Sequence, residues 1–147
     1  MITIYSSDST GIRGNCLYPY RHEVTDAAGM REAVRHDYVC AEYKNSYRSG
    51  GNFITSNCLG MDCDNDHTDH AHEWITPDDV RRNFPDVPLA IHFSRHHMKP
   101  KDQKSARPRF HCMFAIEPTT DVKAYANMKA RLNALFPYFD AQALDGA

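Results

Sequence analysis

The chain has 147 residues, of which 41% are hydrophobic and 24% are charged, and its formal net charge is −2. A chain of this length is the size of one globular domain. It has no run of the roughly 18 apolar residues that a membrane span needs, and its start lacks the basic and apolar regions of a secretory signal. Five cysteines without a Cys-x-x-Cys pair favour neither a disulfide framework nor a thiolate zinc site. We therefore expect one domain over residues 1–147, a cytoplasmic location and no membrane partner.

The first half of the chain combines short apolar runs with turn-rich segments. Apolar residues at spacings of three and four predict a helix, whereas runs rich in β-branched and aromatic residues between turn residues predict strands. The predicted elements are a strand over 2–5, an irregular stretch around Gly11, Gly14 and Pro19, a helix capped by Asp26 that runs to about His36, a strand over 38–43, a loop over 44–52 and a strand over 53–61.

The second half has the same mixed character. Thr76, followed by Pro77 and two acids, predicts a helix start, because a capping hydroxyl, proline at the first position and early acids all favour one. The predicted elements are a helix from Thr76 to about Phe84, strands over 89–94 and 110–116, and a last helix that Thr120 opens and Pro137 ends, with an apolar stripe of Val122, Tyr125, Met128, Leu132, Leu135 and Phe136. This order of elements predicts an α+β fold.

Asp62 and Asp64 follow the apolar run that ends at Met61. Because alternate side chains of a strand share a face, the two carboxylates are expected about 6 to 7 Å apart, with Met61 and Cys63 facing the core. Two carboxylates at this spacing can bind Mg²⁺ or Mn²⁺. A solvated acidic turn is the alternative for so short a motif.

The acidic segment also permits two other metal sites. Asp62, Asp64, Asp66 and Glu73 occupy positions 1, 3, 5 and 12 of a calcium-binding loop, but His67 replaces the glycine that its sharp turn needs. Zinc is a further alternative, although a solvated histidine-rich turn fits a polar loop without thiolates better. The zinc ligands would be His67, Asp69, His70 and His72.

The segment from Arg95 to Arg109 holds six basic residues against the single acid Asp102. If the preceding strand continues far enough, Ser94 and His96 share one of its faces, where both can donate to phosphate oxygens. Cationic side chains in the loop add charge-assisted donors. The predicted nucleotide-binding residues are Ser94, His96, Lys99, Lys101, Arg109 and His111. A solvated lysine loop and, for His111, a core histidine with one hydrogen bond are the alternatives.

Two further predictions concern a loop before the acidic segment and an aspartate near the C terminus. Lys44 and Arg48 lie near Tyr43 and Tyr47, and we predict that they bind single-stranded DNA through phosphate contact and stacking. Asp140 begins a segment flanked by apolar residues and is a candidate third metal ligand, with a turn or cap residue as the alternative.

Three stretches, Met61-Asp62-Cys63-Asp64, Ser94-Arg95-His96 and Phe139-Asp140, resemble in order the three motifs of the archaeo-eukaryotic primase superfamily, above all the primase-polymerases of phages and mobile elements. The resemblance implies a mainly antiparallel sheet of RNA-recognition-motif type, with helices on one face and the active site on the other. It implies that Asp62, Asp64 and Asp140 bind Mg²⁺ or Mn²⁺, and that Ser94 and His96 hold the triphosphate. The implied partners are nucleoside triphosphates, a single-stranded DNA template and a helicase domain outside this chain.

The third motif of that superfamily usually continues through a second acid, here Asp145, to an arginine and a further strand, whereas this chain ends at Ala147. We therefore expect a catalytic-domain fragment truncated at its C terminus. The leading hypothesis is template-directed nucleotidyl transfer with two metal ions. A nucleotide- or single-strand-binding module without catalysis is the alternative. A replication-initiator nuclease that uses His70, His72 and a Tyr125 nucleophile ranks lower.

Overall fold

The computed structural model describes residues 1–141 and confirms an α+β fold with antiparallel sheets and a few helices. The strands of the described residues are β1 (Ile2–Ser6), β2 (Tyr20–Val24), β3 (Tyr38–Val39), β4 (Glu42–Tyr43), β5 (Phe53–Cys63), β6 (Leu89–Phe93) and β7 (Phe110–Thr119). The α-helices there are α1 (Ala27–Ala33), α2 (Pro77–Asn83) and α3 (Val122–Leu135), with 3₁₀ turns at Lys44–Ser46, Gly50–Asn52 and Ala71–Glu73. One sheet has the strand order β2-β1-β3 and the other the order β4-β5-β7-β6.

By their internal contacts the residues form two units. The first comprises Met1–Leu59 and Ala115–Met128, and the second comprises Gly60–Phe114 and, of the described residues, 129–141. Strands β5 and β7 and helix α3 contribute residues to both units, so the prediction of one domain stays a prediction. Within residues 1–141 no helix combines the length and the apolar character that crossing a bilayer requires.

In the first unit, β1 is the buried central strand of its sheet. It pairs antiparallel with β2 from Ile2 opposite Val24 to Ser6 opposite Tyr20, and with β3 at its other edge. No strand was predicted over residues 20–24, which follow the irregular stretch around Pro19. Only Val24 of β2 is buried, because this is a solvent-facing edge strand, and it therefore lacks the apolar alternation that predicts a half-buried strand.

The predicted continuous strand over 38–43 is wrong, because the chain changes sheets within it. Tyr38–Val39 pairs with β1, whereas Glu42–Tyr43 pairs with the start of β5. Ala41, at the connection between them, is only 1% exposed. An apolar run shows that a segment is buried, but it does not show which strand it pairs with.

Helix boundaries are right where a side-chain cap defines them. The carboxylate of Asp26 accepts a hydrogen bond from the Gly29 N–H at 2.8 Å, which confirms the cap of α1, although α1 ends at Ala33 rather than His36. The predicted start of α3 at Thr120 is displaced by one residue, because Asp121 accepts from the N–H groups of residues 123 and 124. The predicted apolar stripe of α3 is wrong at Leu135, which is 72% exposed, whereas Lys129 is buried.

The second unit holds the end of β5, α2, β6, the first half of β7 and the end of α3. Strand β6 pairs antiparallel with β7 from Leu89 opposite Phe114 to Phe93 opposite Phe110. The predicted start of α2 is confirmed as a reciprocal capping box, in which Thr76 and Asp79 each accept from the other's backbone N–H. Met61 and Cys63 are fully buried, which confirms that β5 delivers the acidic segment from the core.

Candidate functional site

The second unit brings Asp62, Asp64 and Asp140 together at the end of β5. The backbone N–H of Asp140 donates to the Asp62 carbonyl at 2.8 Å. The Asp64 N–H donates to Oδ2 of Asp140 at 3.0 Å, across 76 positions of sequence. Because these two bonds lock residue 140 against the strand end, the first and third predicted motifs lie side by side. Asp145 lies outside the described residues.

Asp62 forms a short contact with a histidine of the neighbouring strand. Its Oδ1 lies 2.5 Å from Nδ1 of His111, whose ring stacks on His92, the residue directly opposite on β6. Desolvation raises the pKa of Asp62, but the hydrogen bond and charge of His111 outweigh it, and the pKa lies below its ordinary value. Burial lowers the pKa of His111, but the Asp62 contact raises it above its ordinary value. The contact therefore favours the ionised form of Asp62 and the protonated form of His111.

His92 differs from the histidine on which it stacks. Burial, together with the positive charge of His111, lowers the pKa of His92 to about 4. The ring of His92 therefore favours its neutral form and stacks on the ring of His111. We infer that this stack fixes the orientation of His111 towards the carboxylate.

Asp140 carries the least compensated charge of the three aspartates. Within the described part of the chain it forms no ion pair with a cationic side chain. Burial and the charge of Asp64 raise the pKa of Asp140 to about 7, although the Asp64 N–H lowers it. Asp140 therefore changes its protonation state near neutral pH, mainly because it is buried and secondly because Asp64 is close.

Asp64, in contrast, has two cationic neighbours. Nζ of Lys101 donates to its Oδ2 at 2.8 Å, and Nη1 of Arg109 lies 3.3 Å from the same atom. Arg109 is fully buried and also lies 3.2 Å from Asp66, yet none of its side-chain nitrogens has a hydrogen-bond partner within residues 1–141. The distances are those of ion pairs while the angles are not those of hydrogen bonds, so we describe Arg109 as a counter-charge.

Arg107 organises the acidic loop that follows β5. Its fully buried guanidinium donates to the carbonyls of Asn65 and Thr68 at 2.9 and 3.0 Å and to the Asp69 carboxylate at 2.8 Å. It also lies over the ring of Trp74, 5.4 Å from its centroid. Much of the basic segment is therefore an internal counter-charge for the acidic one, which the sequence analysis did not recognise.

Asn65 is a second organiser of the loop that sequence analysis missed. Its side chain accepts from Ile75 N at 2.7 Å and donates to the carbonyls of Ile75 and Pro108 at 2.9 and 2.8 Å. It is fully buried, with a left-handed backbone at φ 55°. An asparagine directly after Asp64 is the one available signal, because asparagine tolerates this conformation better than most residues.

The predicted continuation of the strand through Ser94 and His96 is wrong. Strand β6 ends at Phe93, and the chain turns there, with His97 N donating to the Ser94 carbonyl at 2.9 Å. Ser94 Oγ accepts from the His96 N–H at 3.2 Å, so the two residues stay adjacent through a turn rather than through strand alternation. His96 and Lys99 are exposed.

The two predicted DNA-binding residues belong to the first unit and differ from each other. Lys44 is exposed in the turn after β4. Arg48 is half-buried and hydrogen-bonds the hydroxyl groups of Tyr18 and Tyr43. An internal role for Arg48 therefore competes with the predicted one.

The chemistry of the aspartates fits a divalent cation, because Mg²⁺ and Mn²⁺ prefer carboxylate oxygen ligands. Among residues 1–141, however, no three His, Cys, Asp or Glu side chains are already arranged to hold a metal ion. The ammonium of Lys101 donates to the carboxylate of Asp64. In the loop that matches a calcium-binding sequence, the guanidinium of Arg107 donates to the backbone carbonyl of Asn65. A metal at Asp64 would therefore bind either beside the ammonium of Lys101 or in its place.

The residues proposed for a nuclease are not suited to that chemistry. Tyr125 is 1% exposed and its hydroxyl donates to the Cys58 carbonyl at 3.0 Å, so it is a core residue of the first unit. His70 and His72 are exposed, with ring centroids 5.7 Å apart. A tyrosine nucleophile has to reach DNA, which a buried hydroxyl cannot do.

Comparisons of the chain with protein-family models, with curated proteins and with solved structures find no match. The resemblance to archaeo-eukaryotic primases therefore stays a prediction from the motif residues of the sequence.

Proposed function

We propose that this chain is a catalytic core of a DNA primase-polymerase, which transfers nucleotides from nucleoside triphosphates along a single-stranded DNA template. The observation that carries the proposal is the contact of Asp140 with both Asp62 and Asp64, since it unites two motifs far apart in sequence. A sheet of RNA-recognition-motif type and a helicase domain as partner belong to the same proposal.

In this proposal Asp62, Asp64 and Asp140 hold Mg²⁺ or Mn²⁺. When bound at such a site, divalent ions neutralise the triphosphate and activate the attacking hydroxyl. The protein's own contribution is orientation. His111 fixes Asp62 through its 2.5 Å contact, and Arg109 places a buried positive charge 3.3 Å from Asp64.

The triphosphate is held by side chains near the turn after β6. Ser94 and His96 are adjacent there, and Lys99 is an exposed ammonium five residues beyond Ser94. A hydroxyl, an imidazole and an ammonium can all donate to phosphate oxygens, and the charged donors form the stronger bonds. Lys101, Arg109 and His111 add positive charge around the carboxylates.

The DNA template is assigned to the first unit. Tyr47 is 48% exposed, and Lys44 is exposed three residues before it. An exposed aromatic ring with a neighbouring cation suits a single strand, since bases stack on the ring and phosphates pair with the cation. Arg48 contributes to this surface indirectly. Its backbone N–H donates to the Cys16 carbonyl, and its side chain hydrogen-bonds Tyr18 and Tyr43.

The proposal is tested by the binding of a labelled deoxynucleoside triphosphate with and without Mn²⁺, followed by nucleotide incorporation on a primed template. We expect triphosphate affinity that depends on Mn²⁺ and that falls at least about tenfold in Asp62→Asn and Asp64→Asn, because the carboxylates bind triphosphate only through the metal. Asp78→Asn is the matched control, since Asp78 is an exposed helix residue paired with Arg81.

Undiminished Mn²⁺-dependent binding and synthesis in both carboxylate variants would contradict the proposed role of Asp62 and Asp64. Triphosphate or single-strand binding that is insensitive to Mn²⁺ and to both substitutions would favour the binding module instead.

A further inference from the structure

Lys101 is held at the base of a tight turn. Its backbone exchanges hydrogen bonds with that of Lys104, at 3.1 and 2.8 Å, and the two central residues, Asp102 and Gln103, have left-handed φ values of 50° and 65°. A two-residue connection with both φ values positive is a type I′ turn, which closes a hairpin rigidly. The turn therefore fixes the backbone of Lys101, and any movement of this residue is left to its side chain.

The side chain of Lys101 ends at Asp64. Nζ donates to Oδ2 at 2.8 Å, and the lysine and aspartate side chains are 34% and 18% exposed. A lysine ammonium is positively charged at neutral pH, so this contact is an ion pair. Asp64 is thus already neutralised when no metal is present.

Arg109 and Lys101 differ in whether they can leave Asp64. Arg109 is fully buried and is placed between Asp64 and Asp66, at 3.3 and 3.2 Å. Lys101 is one third exposed and carries its charge on a flexible four-carbon stem. Of the two cations, only Lys101 already reaches solvent, and Arg109 stays beside Asp64 when Lys101 moves away.

From this geometry we propose that Lys101 is an exchangeable counter-ion, which neutralises Asp64 in the metal-free protein and transfers to the triphosphate when a divalent metal takes its place. This inference rests on the proposed function. Lys101 opposes the binding of metal alone, because metal and ammonium compete for one carboxylate. The triphosphate removes that opposition by offering the ammonium a new anion, so the two ligands bind with positive coupling.

The test is a titration of the whole chain with Mn²⁺, followed by the electron paramagnetic resonance signal of free Mn²⁺, with and without a non-hydrolysable deoxynucleoside triphosphate analogue. We expect Lys101→Met to bind Mn²⁺ alone about tenfold more tightly than the unsubstituted chain, within the usual range of coupling between sites. The analogue should raise Mn²⁺ affinity strongly in the unsubstituted chain and much less in the variant.

Two controls separate charge from structure. Lys104→Met removes the cation at the other end of the same turn, 3.8 Å from Asp69, and should leave Mn²⁺ binding unchanged. Lys101→Arg retains the charge and should bind Mn²⁺ alone no more tightly than the unsubstituted chain. Lys101→Gln is a second neutral variant and should behave as Lys101→Met does.

If the unsubstituted chain binds Mn²⁺ with the analogue but neither neutral variant binds Mn²⁺ alone more tightly, this inference is overturned and the proposed function survives. If no protein in the series binds Mn²⁺ under either condition, the proposed function fails and the inference with it.

Discussion

Arg107 and Arg109 lie two residues apart, and both guanidinium groups are fully buried beside acidic side chains. All three side-chain nitrogens of Arg107 form hydrogen bonds, whereas none of Arg109 does so within residues 1–141. The difference separates two uses of one residue type. Arg107 fixes the path of a loop through directional bonds, and Arg109 supplies charge that leaves Asp64 free to rearrange.

The largest expected loss of stability is that of Arg107→Met, which removes the guanidinium from its carbonyl and carboxylate partners. Breaking a buried, hydrogen-bonded charge network typically costs about 3–5 kcal/mol. We expect a loss of that order in the free energy of unfolding, measured by urea denaturation. Arg107→Lys should lose less, since it keeps the charge without the planar set of donors. A loss below about 1 kcal/mol for Arg107→Met would show that the loop does not depend on this residue.

Arg109→Met should cost less than Arg107→Met, and this ordering is the sharpest test of the comparison. No directional bond is lost, and Asp64 keeps Lys101 as a counter-ion. We expect a loss of about 1–2 kcal/mol by the same denaturation, mainly from the charges left behind. A reversed order would mean that Arg109 forms stronger bonds than its geometry indicates.

Asp79→Ala gives a comparison outside the acidic cluster. Asp79 accepts from the Thr76 N–H at 2.7 Å, so its loss should cost about 1 kcal/mol, as for other helix caps. This hydrogen bond lowers the pKa of Asp79. Its contribution is therefore fully present above the unfolded-state pKa of about 3.9 and is lost as the pH falls through the lower folded-state pKa. If the stability of the unsubstituted chain and that of Asp79→Ala depend on pH in the same way, this role of Asp79 is contradicted.

Lys104→Met should have the smallest effect. Its ammonium lies 3.8 Å from Asp69, and both side chains are exposed, so the pair is screened by water and salt. We expect no measurable change in urea midpoint at physiological ionic strength. A loss comparable to that of Arg107→Met would show that the whole basic segment, rather than the buried arginines, holds the loop.

The parts of the fold that follow from local chemistry were predictable from sequence. The cap at Asp26 and the capping box at Thr76 depend on residues three positions apart, and both were predicted. The switch of sheets within 38–43 was not, because strand partners are chosen by distant segments. Edge strand β2 was not predicted for a related reason. It is held by backbone hydrogen bonds to β1, and its mostly exposed side chains show no apolar pattern.

The candidate site divides in the same way. The order of motifs led to Asp62, Asp64 and Asp140 before their contacts were known. The pairing of the basic segment with the acidic loop was not foreseen, because Arg107 reaches Asp69 across 38 positions and no local pattern reports a buried guanidinium. An excess of acids followed by an excess of bases is the signal that indicates such pairing in retrospect.

The most direct test of the central claim is a crystal structure of the chain soaked with Mn²⁺ and a non-hydrolysable nucleoside triphosphate. We predict anomalous density for Mn²⁺ contacting Asp62, Asp64 and Asp140, with phosphate oxygens completing its ligands and Lys101 moved from Asp64 to the triphosphate. Metal bound elsewhere, or a triphosphate bound away from these carboxylates, would contradict it.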